Sequence, residues 1–239
     1  MNILLDVLAY NTHYLGYNAN MLANEMYLDS ADQRTSVVSL AKQVGYTPRS
    51  ATSSQATIDV VVNNASGASL TMSRGTKFTS TVDGTNYSFV SNADISISPV
   101  DGAYKFSNLV VYEGTYLNYK YTANTTDTDQ RFIIPNDNVD TTTLTVKVQE
   151  SSSDSTTNTY TLASGVTGID STSKVYFIQE VEDGRFEVYF GDGVLGESIK
   201  DGNIVILDYI TCNREEANGA TTFTYQDQLA DFQMWLLQH

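Results

Sequence analysis

The sequence predicts a mainly β fold with an N-terminal α-helical region, built of antiparallel strands in sandwich- or barrel-like domains. Three observations carry that expectation. A long run of apolar residues at helical spacing occupies the first forty-five positions. Beyond them, short apolar or alternating runs recur between Gly, Pro and Asp turn signals, with no helical stretch intervening, which excludes a parallel α/β sheet. Sixteen tyrosines against one tryptophan, with many Thr and Ser, is the composition of exposed β-structure.

Taken in order, Ile3, Leu4, Val7, Leu8, Tyr14, Leu15, Met21, Leu22 and Met26 fall near the i, i+3, i+4, i+7 spacing of an amphipathic helix. A second helix is expected over 30–44, with Val37, Val38, Leu40, Ala41 and Val44 as its apolar residues. Ser30 reads as its N-cap, Gly45 as its C′ residue, and Pro48 as its stop. The pattern starts at Ile3 with almost no capping lead-in, and the stripe is long. Two packings satisfy it: against the chain's own sheets, or in a bundle with another chain.

Residues 50–55 read as a polar linker. Strands are expected at 56–63, 70–72, 77–81, 87–90, 95–97, 109–112, 118–122, 130–134, 144–150, 175–180, 187–190 and 203–210. Asp83-Gly84 is a hairpin signal, because both residues tolerate the positive φ of a tight turn. Residues 151–158 are low-complexity and polar, hence an exposed loop or hairpin tip. Leu229, Phe232, Trp235 and Leu236 read as a short apolar helix. The resulting division is a helical head at 1–45, a first β domain at 46–125, a second, acidic β domain at 126–226 and a short apolar tail at 227–239.

Charge narrows the function classes. The net charge of −15 opposes nucleic-acid binding, which needs clustered Lys and Arg to displace counterions. It is uneven: residues 1–130 carry a net −4 and residues 131–239 a net −11. The acidic half is either a docking face for a basic neighbour or a solvated surface that keeps a β-protein soluble. No run of 18 apolar residues would span a membrane, and no signal peptide is visible. Cys212 alone forms no internal disulfide, and with only His13 and His239 a His/Cys zinc site is not expected.

Four patterns look chemical. Gly191-Asp-Gly193-Val-Leu-Gly196 is a formal GxGxxG after a strand, but a dinucleotide site needs a helix next, and a strand follows. Gly191, Gly193 and Gly196 are therefore read as β-loop glycines, and no cofactor is expected. The acid groups Asp127/Asp129, Asp137/Asp140 and Glu180/Glu182/Asp183 lack the calcium-loop pattern and read as solvated loop acids. His13 lies in the helical head, His239 ends the chain and GxSxG is absent, so no catalytic residue is expected. Tyr112, Tyr116, Tyr119 and Tyr121 sit at strand spacing, which favours cross-strand packing over stacking on sugars.

Several segments in order resemble one family. They are Leu4-Leu-Asp-Val-Leu-Ala-Tyr-Asn-Thr12 and Ser36-Val-Val-Ser-Leu-Ala-Lys-Gln-Val-Gly-Tyr46 in the head, then Ser73-Arg-Gly-Thr-Lys-Phe78 with Tyr87-Ser-Phe-Val90. Val111-Tyr-Glu-Gly-Thr115, Arg131-Phe-Ile-Ile-Pro-Asn-Asp-Asn-Val-Asp140 and Phe186-Glu-Val-Tyr-Phe-Gly-Asp-Gly-Val-Leu-Gly196 follow, with Asn218-Gly-Ala220 after a further strand. Over roughly 2–225 the chain resembles the baseplate wedge protein of T4-like contractile-tailed phages, within the baseplate J-like group. The resemblance implies a structural virion subunit in the tail baseplate, assembled in the host cytoplasm, with no catalytic or ligand residues. It implies partners as well: a second copy of itself and other baseplate wedge proteins, met through the helical head. Rings of such wedges change diameter on contraction, which implies interfaces with two workable packings. Against the family pattern the chain reads as a truncated or unusually short member with an atypical tail.

The leading expectation is thus a non-enzymatic wedge subunit, with Leu4, Leu8, Leu15 and Leu22 as interface or core residues. An alternative from another class is a carbohydrate- or host-binding β-module of a tail fibre or adhesin, using an exposed cleft around Tyr112–Tyr121. A third is a polysaccharide-degrading enzyme, which needs two carboxylates roughly 5–10 Å apart in a groove.

Overall fold

A computed structural model describes residues 2–46, 49–63, 67–163, 165, 167–181, 184–225 and 234–237. Two helices come first, α1 (Asn2–Asn24) and α2 (Arg34–Gln43). The strands follow: β1 (Gln55–Asn63), β2 (Leu70–Met72), β3 (Lys77–Val82), β4 (Thr85–Ser91), β5 (Ile95–Ile97), β6 (Ala103–Glu113), β7 (Thr115–Thr122) and β8 (Phe132–Ile133). After them come β9 (Val139–Gln149), β10 (Thr157–Leu162), β11 (Val175–Glu180), β12 (Phe186–Phe190), β13 (Ile204–Thr211), β14 (Thr224–Tyr225) and β15 (Met234–Leu237). The protein is mainly β with N-terminal helices and antiparallel sheets. The chain divides into two units, Met1–Arg49 with Gln179–Asp183, and Ser50–Ile178 with Gly184–His239.

In the first unit α2 starts four residues later than the apolar pattern predicts. Its N-cap is Gln33, whose side chain makes no cap bond. The Glu25 carboxylate takes that role, accepting from the Asp32 and Gln33 backbone N–H groups at 3.0 and 3.3 Å. Ser30, expected to cap α2, instead donates its hydroxyl to the Asn24 carbonyl at the end of α1 (2.7 Å). The C-terminal expectation holds. Gly45, at φ 79°, donates to Lys42 O while Tyr46 N–H reaches Ala41 O, the paired bonds of a Schellman cap. Pro48 lies outside the described residues.

The second unit holds a six-stranded sheet in the order β14-β3-β4-β6-β1-β15, a seven-stranded sheet in the order β7-β13-β9-β10-β11-β12-β8, and a small β2-β5 pair. Asp83 and Gly84 have φ 49° and 81°, so the β3–β4 hairpin turns on two left-handed residues with Val82 opposite Thr85. One pairing departs from the antiparallel rule: β10 meets β11 in parallel over Thr161–Val175 and Leu162–Tyr176. β10 itself was unexpected, because its Thr- and Asn-rich sequence lacks an apolar run and buries only Tyr160. The tail is corrected as well. Trp235 and Leu236 belong to a strand, β15, that pairs antiparallel with the edge of β1, and not to a helix. A free sheet edge offers unpaired backbone donors and acceptors, which a short strand satisfies. Leu229 and Phe232 lie outside the described residues.

Each large sheet carries its own apolar core. Val60, Val62, Phe78, Phe89, Tyr104 and Val111 lead the first, joined by Ala217 and Phe223 from beyond β13. Ile134, Val146, Val188, Val205, Leu207 and Tyr209 lead the second. Alternation along β1, in which Ile58, Val60 and Val62 are buried between half-buried neighbours, turns one face of that strand inward. Residues 50–55 are not a free linker: Ser53 and Ser54 are buried, and Gln55 opens β1.

Candidate functional site

Every described side chain of α1 is exposed, including Leu4 at 71%, Leu8 at 55%, Leu15 at 62% and Leu22 at 70%. At 1.5 Å per residue the helix is about 35 Å long. Two rows of seven-residue spacing run along it side by side. Ile3, Tyr10 and Tyr17 alternate with Val7, Tyr14 and Met21 in one row, and Tyr10 and Tyr14 stack at 6.0 Å. Leu4, Asn11 and Asn18 alternate with Leu8, Leu15 and Leu22 in the other. A single row is the seam for one partner helix, whereas two adjacent rows cover about half the circumference and present two seams. The opposite side, with Leu5, Asp6, Ala9, His13, Gly16, Asn20 and Asn24, has one carboxylate and no Lys or Arg. Exposed apolar faces of this size are the kind that protein–protein contacts use.

Within the same unit α2 is anchored by ions. Arg34 Nε and Nη2 make a bidentate pair with Glu180 Oε1 and Oε2, both at 2.9 Å, and Lys42 donates to the Glu180 carbonyl. Glu180 is almost wholly buried, so it is not a solvated loop acid. Glu182 and Asp183 lie outside the described residues. Asp140 is buried too, accepting from Ser53 N at 2.8 Å and from both N and Oγ1 of Thr142. Asp127 remains exposed in a local turn with Asp129 N. Burial of Glu180 and Asp140 was invisible in the sequence because their partners are 146 and 87 residues away.

Gly191, Gly193 and Gly196 occupy the turn after β12. A Cβ on Gly191 would lie 2.4 Å from the Gly196 carbonyl, so the loop closes on its own backbone where a ligand phosphate would have to enter. Asp192 accepts from Val194 and Leu195 N–H groups, and those bonds hold its carboxyl below the usual aspartate range. The tyrosines are engaged within the protein. Tyr116 lies under the Arg74 guanidinium, Tyr119 and Tyr121 pack edge to face at 4.9 Å, and the Tyr121 hydroxyl donates to Ile133 O. Tyr116 and Tyr121 are half-buried, while Tyr119 stays 40% exposed.

An open polar cleft of about 550 Å³ lies among Tyr87, Glu113, Asp137, Asn138, Asn213 and Glu216. Its carboxylate Glu113 is occupied, accepting from Asn213 N and Nδ2 at 2.8 Å each. Burial raises the Glu113 pKa, with bonds from Asn213 opposing and the Glu216 charge adding to the rise. Cys212 is buried and donates its thiol to Asn138 O. Among the described residues no group of three or more His, Cys, Asp or Glu is arranged to hold a metal ion. No described helix is long and apolar enough to cross a membrane.

The pattern of similarity follows these elements. The family model described as "Bacteriophage baseplate protein, N-terminal domain" matches residues 1–43, ending with α2. The model described as "Bacteriophage baseplate wedge protein gp6, third domain" matches residues 119–225, from within β7 to the end of β14. Baseplate wedge protein gp6 of Enterobacteria phage T4 is 30% identical over 251 aligned residues, covering 97% of this chain and 37% of that relative. The chain thus spans little more than a third of the relative's length.

Proposed function

The chain belongs with the T4-like baseplate wedge proteins, and we propose that it acts as a structural subunit of a contractile-tail baseplate, through protein–protein contacts and without catalysis. The observation that carries this reading is the exposed double row of apolar residues on α1. Buried apolar area gives about 25 cal/mol per Å², so a helix displaying such a face gains by association. Leu4, Leu8, Leu15 and Leu22 are the contact residues of one seam, and Ile3, Val7, Tyr14 and Met21 of the other. Two seams accommodate two neighbours: a second copy of this chain and a helix of another wedge protein. Asn11 and Asn18 lie within the leucine row, where a polar residue sets the register of paired helices. The division into a helical head, a first β domain and a second, acidic β domain assigns assembly to the head and leaves the acidic part for a basic neighbour.

The test is the mass in solution, alone and with candidate wedge partners. A chain of 26.3 kDa should scatter as an assembly of two or more helices' worth of chains. The fourfold change of Leu4, Leu8, Leu15 and Leu22 to Ser should leave a monomer with its β-sheet circular dichroism intact. A wild-type monomer that also ignores every wedge partner sinks the reading.

A further inference from the structure

The two β-modules of the second unit meet through polar groups, and that sets them apart from their apolar interiors. The chain passes from the first module to the second at Gly114, between β6 and β7, and returns through 212–216 after β13. Both crossings are pinned together, since Glu113 accepts from Asn213 and the Ser54 hydroxyl donates to Arg214 O. Ser53 N–H donates to Asp140, and the Ser50 and Thr141 hydroxyls meet at 2.8 Å. The joint is rich in Ser, Thr, Asp, Glu, Asn and Arg, with Tyr116 against Gly75 and Ile210 against Gly114 as its apolar contacts.

A cationic side chain also crosses the joint. Arg74 sits in the turn between β2 and β3, in the Ser73-Arg-Gly-Thr segment, with its backbone N–H fixed by Asp94 Oδ1 at 2.7 Å. Its guanidinium enters the second module, donates to Thr143 O at 2.8 Å, lies 5.2 Å over the Tyr116 ring and approaches Asp208 Oδ2 at 3.7 Å. Gly75 makes this approach feasible: at φ 84°, a Cβ there would stand 2.9 Å from Tyr116 Cδ1. Two features make the insertion releasable. Asp208 does not depend on Arg74, because Lys147 sits closer at 3.1 Å and Asn118 donates to its other oxygen. Arg74 is imperfectly satisfied where it lies, with a buried Nε that has no partner. Withdrawing a cation strands a buried charge only when the anion has no other partner; here it has one.

We propose that Arg74 is a releasable latch between the two β-modules, and that the modules turn as rigid bodies about Gly114 and the Glu113–Asn213 contact when it opens. Hinges of this kind concentrate the backbone change in a few residues at element ends. The reading does not rest on α1 or on its partners.

The test uses the full chain with Cys212→Ser, spin-labelled at the exposed Thr85→Cys in the first module and Thr159→Cys in the second. Arg74→Met should broaden or shift the inter-label distance, and raise amide exchange at Thr76 and Ser91 about tenfold. Exchange at Val60 and Val205, in the two cores, should stay unchanged. An unaltered distance in folded Arg74→Met overturns the latch. Simultaneous loss of protection in both cores overturns it equally, since Arg74 would then hold the fold itself together. Arg74→Lys, which keeps the charge but loses the fork reaching Thr143 O, should fall between wild type and Arg74→Met in both readouts.

Discussion

Gly114 shows how much one position can decide. Its φ of 131° lies where L side chains are strained, and a Cβ would stand 2.1 Å from the Thr211 carbonyl oxygen. Gly114→Ala should cost about 3 kcal/mol, combining backbone strain with the displacement of β13. A lower denaturant midpoint at unchanged slope would register that loss; an unchanged midpoint would mean the joint yields freely. Asp208 decides an electrostatic question. Burial pushes its pKa up, but hydrogen bonds from Asn118, Tyr116 and Lys147, with the Lys147 charge, outweigh it and hold the carboxyl below the usual aspartate range. A depressed folded pKa adds stability that is present above the unfolded value and lost as pH falls through the folded one. Asp208→Asn should therefore differ most from wild type at neutral pH and converge with it in acid, as unfolding titrations would show. Glu113 has the opposite sign. Its raised pKa makes its contribution greatest in acid and diminishes it as pH rises past the ordinary glutamate range.

At the scale of elements, local chemistry was readable wherever a segment carries its own constraint. Asp83-Gly84 demanded a tight hairpin because few other pairs accept two positive φ angles, and Gly45 closed α2 for the same reason. β2, β5 and β11 fell on their predicted residues, since each is an apolar or alternating run between turn residues. What escaped depended on partners elsewhere. The start of α2 is set by Glu25, seven residues before Asp32, and not by the adjacent Ser30. Glu25→Ala should loosen the entry into α2, as loss of an acceptor at a helix N-terminus does. Faster exchange of the first α2 amides would show it, and unchanged exchange would leave the Gln33 backbone as sufficient. β10 was hidden because neighbouring strands, not an apolar run, hold it in place. The tail at 234–237 likewise took its conformation from the edge of β1.

At the scale of the whole molecule, the change of texture near residue 50, from helical spacing to short alternating runs, is what sets a helical head apart from a β-body in the sequence. The apolar rows of α1 were equally legible, because helical periodicity depends on sequence alone. In the proposed assembly association would be driven by apolar burial, with no Lys or Arg in the helix, so its mass by scattering should be unchanged at high salt. Tertiary structure alone decided how those exposed rows stand in this chain, which acids are buried, and how two apolar cores meet across a polar joint. The reason is physical: periodicity, turn dihedrals and charge are properties of neighbouring residues. Burial of Glu180, Asp140 and Asp208 and the insertion of Arg74 join residues 87 to 146 positions apart, or sit between modules, where only the folded backbone sets the distance.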